Sequence, residues 1–358
     1  MIKAHCFTKE WINGFKQQKH LKRINPPVLE KMIQALSLLQ QLKAHGLDFT
    51  FKGGTSLVLL LAKSRRFSVD IDIITTQTRK EVEAILDKVV ASSHFTKWDL
   101  QDRRSYKEGV PKAHYEFDYE SSLNQSAHFV LLDILFEKTD YPRLLLAPIR
   151  SEWIESEEIL EVAVPSIESI FGDKLTAFAP NTVGILYDKG KEQEIIKQLF
   201  DIGCLFDEVE NVEEIALSFE KIGSKEIRYR ELEIGLGDIL DDIFTTSLLI
   251  AKRTKNTEEP DKTRFMELTN GIRRFEGFLI AENFKIEDAI LAAGKAAYLA
   301  KKLKNKDYSA IVKFNGQDVS KLEITGELNF LNKLKKSRDK AAFFYWYTAL
   351  NESSNSLI

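Results

Sequence analysis

Between Pro26-Pro27 and Gly46, the apolar residues Leu29, Ile33, Leu36, Leu39 and Leu42 recur at helical spacing. This predicts a helix that opens on proline and closes on glycine. The period then changes. "LDFTF" reads as a short strand, Gly53-Gly54 as a turn, "TSLVLLLAK" as a short helix and "SVDIDIIT" as a strand. "TRKEVEAILDKVVASS" is again a helix, and "KAHYEFDYES", "AHFVLLDILFEK" and "LEVAVPS" read as further strands. From about residue 166 the chain turns almost wholly helical, with "SIESIFGDKLTAFA", "EQEIIKQLFDIGCLFDEV" and "VEEIALSFEKIG" as the first of several periodic segments. The expected organisation is a mixed α/β domain over 1–165, α+β in its sheet, followed by a mostly α-helical domain over 166–358. "KRTKNTEEPDKTR" is expected to be an exposed loop between helices, and the polar tail "NESSNSLI" to fray.

Composition narrows the class without choosing a partner. The chain has 358 residues, 44% hydrophobic, enough for two cores. A net charge of -3 excludes whole-molecule attraction to nucleic acid and leaves only local basic faces. Cys6 and Cys204 have no metal-ligand spacing and form no disulfide framework, which suits a reducing compartment. No apolar run approaches the roughly 20 residues of a membrane span, and the N-terminus lacks a secretory core, so a cytoplasmic location and no membrane contact are expected. His5, His20, His45, His94, His114 and His128 are scattered without ligand spacing and read as structural or surface residues. Tyr345, Trp346 and Tyr347 read as core.

The chemistry concentrates at "FKGGTSLVLLLAKSRRFSVDIDII". Val69, Ile71 and Ile73 alternate with Asp70, Asp72 and Ile74, so a strand there turns both carboxylates to one face, about 7 Å apart at Cα. Such a pair repels itself unless something cationic meets it. Asp133, within apolar "HFVLLDILFEK", supplies a third carboxylate on another strand. Few carboxylates with room for water and phosphate suit Mg²⁺ in phosphoryl or nucleotidyl transfer. Gly53 and Gly54 let backbone N–H groups approach a phosphate, and Thr55 and Ser56 add hydroxyl donors. The G-x-x-x-x-G-K-[ST] loop is absent from this stretch. Lys174 lies at the border of an apolar helical stripe. Asp201 sits on a helix that is apolar nearly all round, where it needs a partner such as Lys174 or a metal.

The Gly-Gly-Thr-Ser turn, the short helix and "SVDID" resemble the signature of the DNA polymerase beta-like nucleotidyltransferase superfamily, with Asp133 in the place of its third acid. Together with "GDKLTAFAPN" and "KQLFDIGCLFD", they are similar to the AbiEii/AbiGii toxin family of abortive-infection and type IV toxin-antitoxin loci. The resemblance implies catalytic roles for Asp70, Asp72, Asp133, Lys174 and Asp201, and metal ligation of Mg²⁺ or Mn²⁺ by Asp70, Asp72 and Asp133. It implies nucleotide contacts from Gly53, Gly54, Thr55, Ser56, Ser68 and Lys174. It further implies an NTP substrate, an RNA acceptor with the tRNA 3′ end foremost, a block of translation and a cognate antitoxin. The basic runs Lys63-Ser64-Arg65-Arg66, "AKKLKNKD" and "LKKSRDK" are candidate RNA contacts, although such runs are commonly solvated helix faces. A protein- or small-molecule-modifying nucleotidyltransferase is the enzymatic alternative. A non-catalytic nucleotide- or antitoxin-binding module is the other.

Overall fold

The computed structural model describes residues 1–101, 109–255, 257–336 and 340–351. The chain forms two compact units, Met1–Ser166 with Gly277–Asn283, and Ile167–Glu276 with Phe284–Ile358. The polar tail lies outside the described residues from 352 onward, as do residues 337–339 of "LKKSRDK" and residue 256 of the expected loop.

The first unit is a mixed sheet with helices on one face. Its helices are α1 (Lys9–Gly14), α2 (Pro26–Ala44), α3 (Gly53–Leu60) and α4 (Arg79–Ser92). Its strands are β1 (Thr50–Lys52), β2 (Ile71–Thr75), β3 (Lys97–Leu100), β4 (Lys112–Glu120), β5 (Ala127–Phe136), β6 (Leu144–Pro148) and β7 (Glu161–Pro165). The seven described strands run in the order β3-β4-β5-β2-β1-β7-β6. β2 is parallel to β5 and β1 to β7, while the other ladders are antiparallel. The alternation read from the sequence decides which face is buried. Phe51, Ile71, Ile73, Ala113, Tyr115, Val130, Leu132 and Ile134 point into one core. Leu38, Leu39 and Leu42 of α2 and Val82, Ile85 and Leu86 of α4 cover that core.

Strands β3 and β6 are absent from the sequence reading. β3 alternates exposed with half-buried residues, and β6 begins with three exposed leucines, so neither has the buried apolar run by which a strand is recognised. Residues from the helical half also belong to this sheet unit. Phe67 N–H donates to Phe278 O at 2.8 Å, Ile280 N–H donates to Arg65 O at 3.2 Å, and Ile280 packs into a second core with Phe67 and Trp153. A lone apolar turn between two helical segments carries no sign of that long-range pairing.

The second unit contains the helices α5 (Ile167–Ala177), α6 (Glu192–Glu208), α7 (Val212–Tyr229), α8 (Leu236–Lys252), α9 (Asp261–Phe275), α10 (Ile286–Lys304) and α11 (Ala341–Leu350). α9 begins inside the segment read as a loop, which shortens that connection. Close packing in this unit depends on small residues. A Cβ on Gly172 of α5 would lie 2.7 Å from Phe219 N and 2.8 Å from Ile215 O, so α5 and α7 approach backbone to backbone there. Tyr345 and Trp346 are buried in this core. The Tyr345 hydroxyl accepts from Phe314 N–H at 3.0 Å, and Trp346 Nε1–H donates to Ile290 O at 3.3 Å. Cys6 is buried and Cys204 partly so.

Asp242 of α8 anchors the turn that follows α5. Its carboxylate accepts from Asn181 N–H at 2.7 Å, Thr182 Oγ1 at 2.9 Å and Thr246 Oγ1 at 3.1 Å, and also from the Asn181 side-chain amide. This gives the closing asparagine of "GDKLTAFAPN" a structural purpose. Burial pushes the Asp242 carboxyl above its ordinary value of 3.8, while the Asn181 and Thr182 bonds pull the other way. A carboxyl raised on folding contributes stability that is complete below 3.8 and is lost as pH climbs through the folded value. Asp242→Asn is therefore expected to be less stable than wild type at pH 3.5 and to show a flatter decline above about pH 4. Urea unfolding of both proteins from pH 3.5 to 6 measures this, and parallel pH curves would contradict it.

Candidate active site

The acidic face of the first unit is a row that crosses four strands. In the β1/β2 ladder Lys52 stands opposite Asp72, in the β2/β5 ladder Asp72 stands opposite Asp133, and in the β4/β5 ladder Asp133 stands opposite His114. Residues paired in a ladder share a face, and neighbouring strands lie about 4.8 Å apart. Two carboxylates are thus set side by side, with a lysine on one flank and a histidine on the other. His114 Nδ1 lies 2.6 Å from Asp133 Oδ1, both side chains largely enclosed. A carboxylate only accepts, so the ring is read as carrying its proton on Nδ1 and donating it. These flanking groups answer the electrostatic question posed by the aspartates, because a flanking donor offsets part of the repulsion between neighbouring carboxylates.

Asp70 lies immediately before β2, whereas the sequence reading placed it within the strand. Its carbonyl accepts from the Thr55 hydroxyl at 2.5 Å, a side-chain bond where a ladder bond was expected. The alternation nonetheless continues through the segment, since Phe67, Val69, Ile71 and Ile73 are buried while Ser68, Asp70 and Asp72 are half-buried.

The glycine turn packs directly onto the acids. Gly53 has φ +75°, and a Cβ there would overlap Asp72 Oδ2. A side chain is therefore excluded twice, by backbone conformation and by the carboxylate. A Cβ on Gly54 would overlap the Arg66 guanidinium and lie 3.0 Å from Ser68 Oγ. The N-terminus of α3 thus opens among Asp72, Ser68 and Arg66, with its first N–H groups lacking partners within the helix. The two hydroxyls beside the glycines bond within the protein. Thr55 and Ser56 are buried. Thr55 Oγ1 lies 2.8 Å from Ser68 Oγ, and Ser56 Oγ donates to Gly53 O at 2.8 Å. They tie the turn to the acidic segment and hold its shape.

Lys174 and Asp201 meet in the second unit. Lys174 Nζ lies 2.9 Å from Asp201 Oδ2 and donates to Gln198 Oε1 at 2.9 Å, with the residues 6% and 2% exposed. Ile170, Phe171 and Leu175 on α5 and Leu199, Phe200 and Ile202 on α6 are buried too, so the pair lies on two largely buried helical segments. In such surroundings each charge requires the other.

Four cations of the first two basic runs are already engaged or buried. Arg66 is 8% exposed, Arg65 is paired with Glu282, Lys302 is buried 2.6 Å from Asp307, and Lys304 is paired with Asp241. Lys52, Arg66 and His114 are the residues at the acidic row that the sequence reading did not single out for the site. His114 had a readable signal. Counting outward from the turn 121–126 pairs Glu120 with Ala127 and hence His114 with Asp133. Lys52 had none, since a helix separates its strand from Asp72 and hides the register.

Among the described residues, no group of three or more His, Cys, Asp or Glu side chains is arranged to hold a metal ion by itself. The side-by-side carboxylates of Asp72 and Asp133, with Asp70 two residues before Asp72, are an all-oxygen donor set. They fit the sparse ligation of Mg²⁺, which keeps waters and substrate phosphates in its shell. Among the described residues, no helix is long and apolar enough to cross a membrane.

Comparison with known proteins places these features in a lineage. The family model described as nucleotidyl transferase AbiEii toxin, type IV TA system, matches residues 37–276. No curated protein matches the chain. Among solved structures, JHP933 from Helicobacter pylori is similar with a TM-score of 0.45 and 15% identity, over 79% of this chain and 96% of that one. An antigenic nucleotidyltransferase-like protein from Paracoccidioides brasiliensis is similar with a TM-score of 0.36 and 12% identity, over 66% of this chain and 93% of that one.

Proposed function

The chain belongs to the AbiEii family of nucleotidyl transferase toxins of type IV toxin-antitoxin systems, and from that premise we propose that it moves a nucleoside monophosphate from an NTP to the 3′ end of tRNA, blocking translation in the cytoplasm. The observation that carries the reading is the pair Asp72 and Asp133, set side by side against the Gly53-Gly54 turn. Carboxylates for a divalent cation and backbone donors for phosphate are what phosphoryl chemistry requires within one reach.

In this reading Asp70, Asp72 and Asp133 would hold Mg²⁺ or Mn²⁺, whose chemistry there is to neutralise the triphosphate and make the acceptor hydroxyl more acidic. The N–H groups of Gly53 and Gly54, with Ser68, bind the phosphates. Asp201 orients Lys174 through the ion pair between them. The acceptor oxygen bonds to the α-phosphorus, the bond from that phosphorus to the β-phosphate oxygen breaks, pyrophosphate leaves, and the hydroxyl proton passes to solvent. The type IV family implies a cognate antitoxin as a further partner.

The test incubates purified protein with total tRNA, Mg²⁺ and each α-labelled NTP in turn, beside the Asp70→Asn variant. Label on RNA with wild type alone is the expected result and names the nucleotide. Label on protein, or no label, overturns the tRNA reading in favour of a protein-modifying or binding-only role.

A further inference from the structure

His114 is absent from every role assigned so far, yet it is bonded to one of the reading's three acids. It sits on β4 directly opposite Asp133, on the face away from the core that Ala113 and Tyr115 enter. Its Nδ1 is 2.6 Å from Asp133 Oδ1, the short end of the range for such a bond.

We propose that His114 is a positioning residue for nucleotidyl transfer: its Nδ1–H grips Asp133 Oδ1 across the β4/β5 ladder and so sets the orientation of that carboxylate beside Asp72. The inference rests on the nucleotidyltransferase reading of the acidic row given above.

Three physical points support it. First, the terminal torsion of an aspartate is broad and nearly two-fold, so a carboxylate on a strand samples many orientations unless a neighbour holds it. Second, directly opposed residues of an antiparallel pair have Cβ atoms about 5 Å apart. At that separation a donor one atom beyond Cγ reaches the neighbouring carboxylate, and Nδ1 of histidine is such a donor. A lysine or arginine at position 114 would overshoot and carry its charge past Asp133. Third, Asp133 is the member of the row whose other neighbour is a like charge, Asp72. Left to itself it would rotate away from Asp72, and a donor on its far side opposes that rotation. Groups that hydrogen-bond a cation-binding side chain from behind commonly set its orientation, and losing one lowers metal affinity by about 10- to 100-fold.

The geometry also dictates the informative substitution. In asparagine the amide Nδ2 occupies the same place relative to Cγ as Nδ1 does in histidine, whereas alanine removes the donor. The experiment titrates Mn²⁺ alone into full-length wild type, His114→Ala, His114→Asn, Asp133→Asn and Asp72→Asn, followed by electron paramagnetic resonance. Thermal unfolding of the same metal-free samples accompanies it. The expected result is Mn²⁺ affinity about 10- to 100-fold weaker in His114→Ala, restored to within about threefold of wild type in His114→Asn, and weakened in both aspartate variants. Unchanged affinity in His114→Ala, with the aspartate variants weakened, overturns the role of His114 and leaves the acidic site standing. Equal loss in His114→Ala and His114→Asn, tracking a lowered thermal midpoint, also overturns it and assigns the histidine to ladder stability alone. Unchanged affinity in both aspartate variants overturns the acidic-site reading itself, and the histidine's role with it.

Discussion

Asp72→Asn is expected to lower nucleotidyl transfer by about 10³-fold or more while shifting the folding stability of the metal-free protein by no more than about 1 kcal/mol. The two halves of this expectation come from different physics. A carboxylate that neutralises a triphosphate through a cation contributes several kcal/mol to the transition state, and every 1.36 kcal/mol is tenfold in rate. In the resting protein the same carboxylate has opposed neighbours, with Lys52 across one ladder and Asp133 across the other. Neutralising it removes an attraction and a repulsion together, so the balance changes little. Initial rates with a labelled NTP and a urea titration measure the two halves. Transfer retained to within tenfold of wild type would remove Asp72 from the reacting centre.

The buried pair in the helical unit is expected to behave in the opposite way. Asp201→Leu alone removes the carboxylate that faces the buried Lys174 ammonium, and is expected to cost about 3–5 kcal/mol. Lys174→Met alone removes the ammonium that faces the buried Asp201 carboxylate and is expected to cost a similar amount. The double variant, Lys174→Met with Asp201→Leu, removes both charges and is expected to recover most of that loss, because a well-packed apolar replacement avoids desolvating either ion. Denaturant unfolding of the four proteins forms a double-mutant cycle, with a coupling energy of about 3 kcal/mol expected for groups in such contact. Additive losses would show that the pair does not stabilise the fold as a unit.

Much of the site was legible in the chain because it is local. Gly53, Gly54, Ser68, Asp70 and Asp72 fall within a short stretch, where glycine's lack of a side chain and the two-residue period of a strand constrain what the backbone can do. The helical character of the second half was legible for the same reason, since a helix makes its hydrogen bonds within itself and its period is repeated in the residues that form it. The link between Lys174 and Asp201 was foreseeable from cost alone, because an acid on a helix apolar nearly all round must find a partner.

Other features required the fold. Thr55 and Ser56 look like phosphate ligands in sequence, yet their hydroxyls are drawn inward to Ser68, Asp70 and Gly53, a choice made only when the turn packs on the acidic segment. Arg66 reads as part of a basic surface run and is instead buried beside Gly54. Gly277–Asn283 lies within the half read as almost wholly helical and joins the sheet unit through its pairing with Arg65–Phe67.

The sequence by itself determined that this protein carries a glycine turn beside an alternating acidic segment, an α/β half and a helical half, because each follows from periods and backbone preferences a few residues long. Only the tertiary structure decided which groups meet those acids. Lys52, Asp72 and Asp133 come from strands separated by helices or other strands, His114 joins them from the hairpin partner of β5, and they share one face and one row because ladder register, a property of paired strands, brings them there.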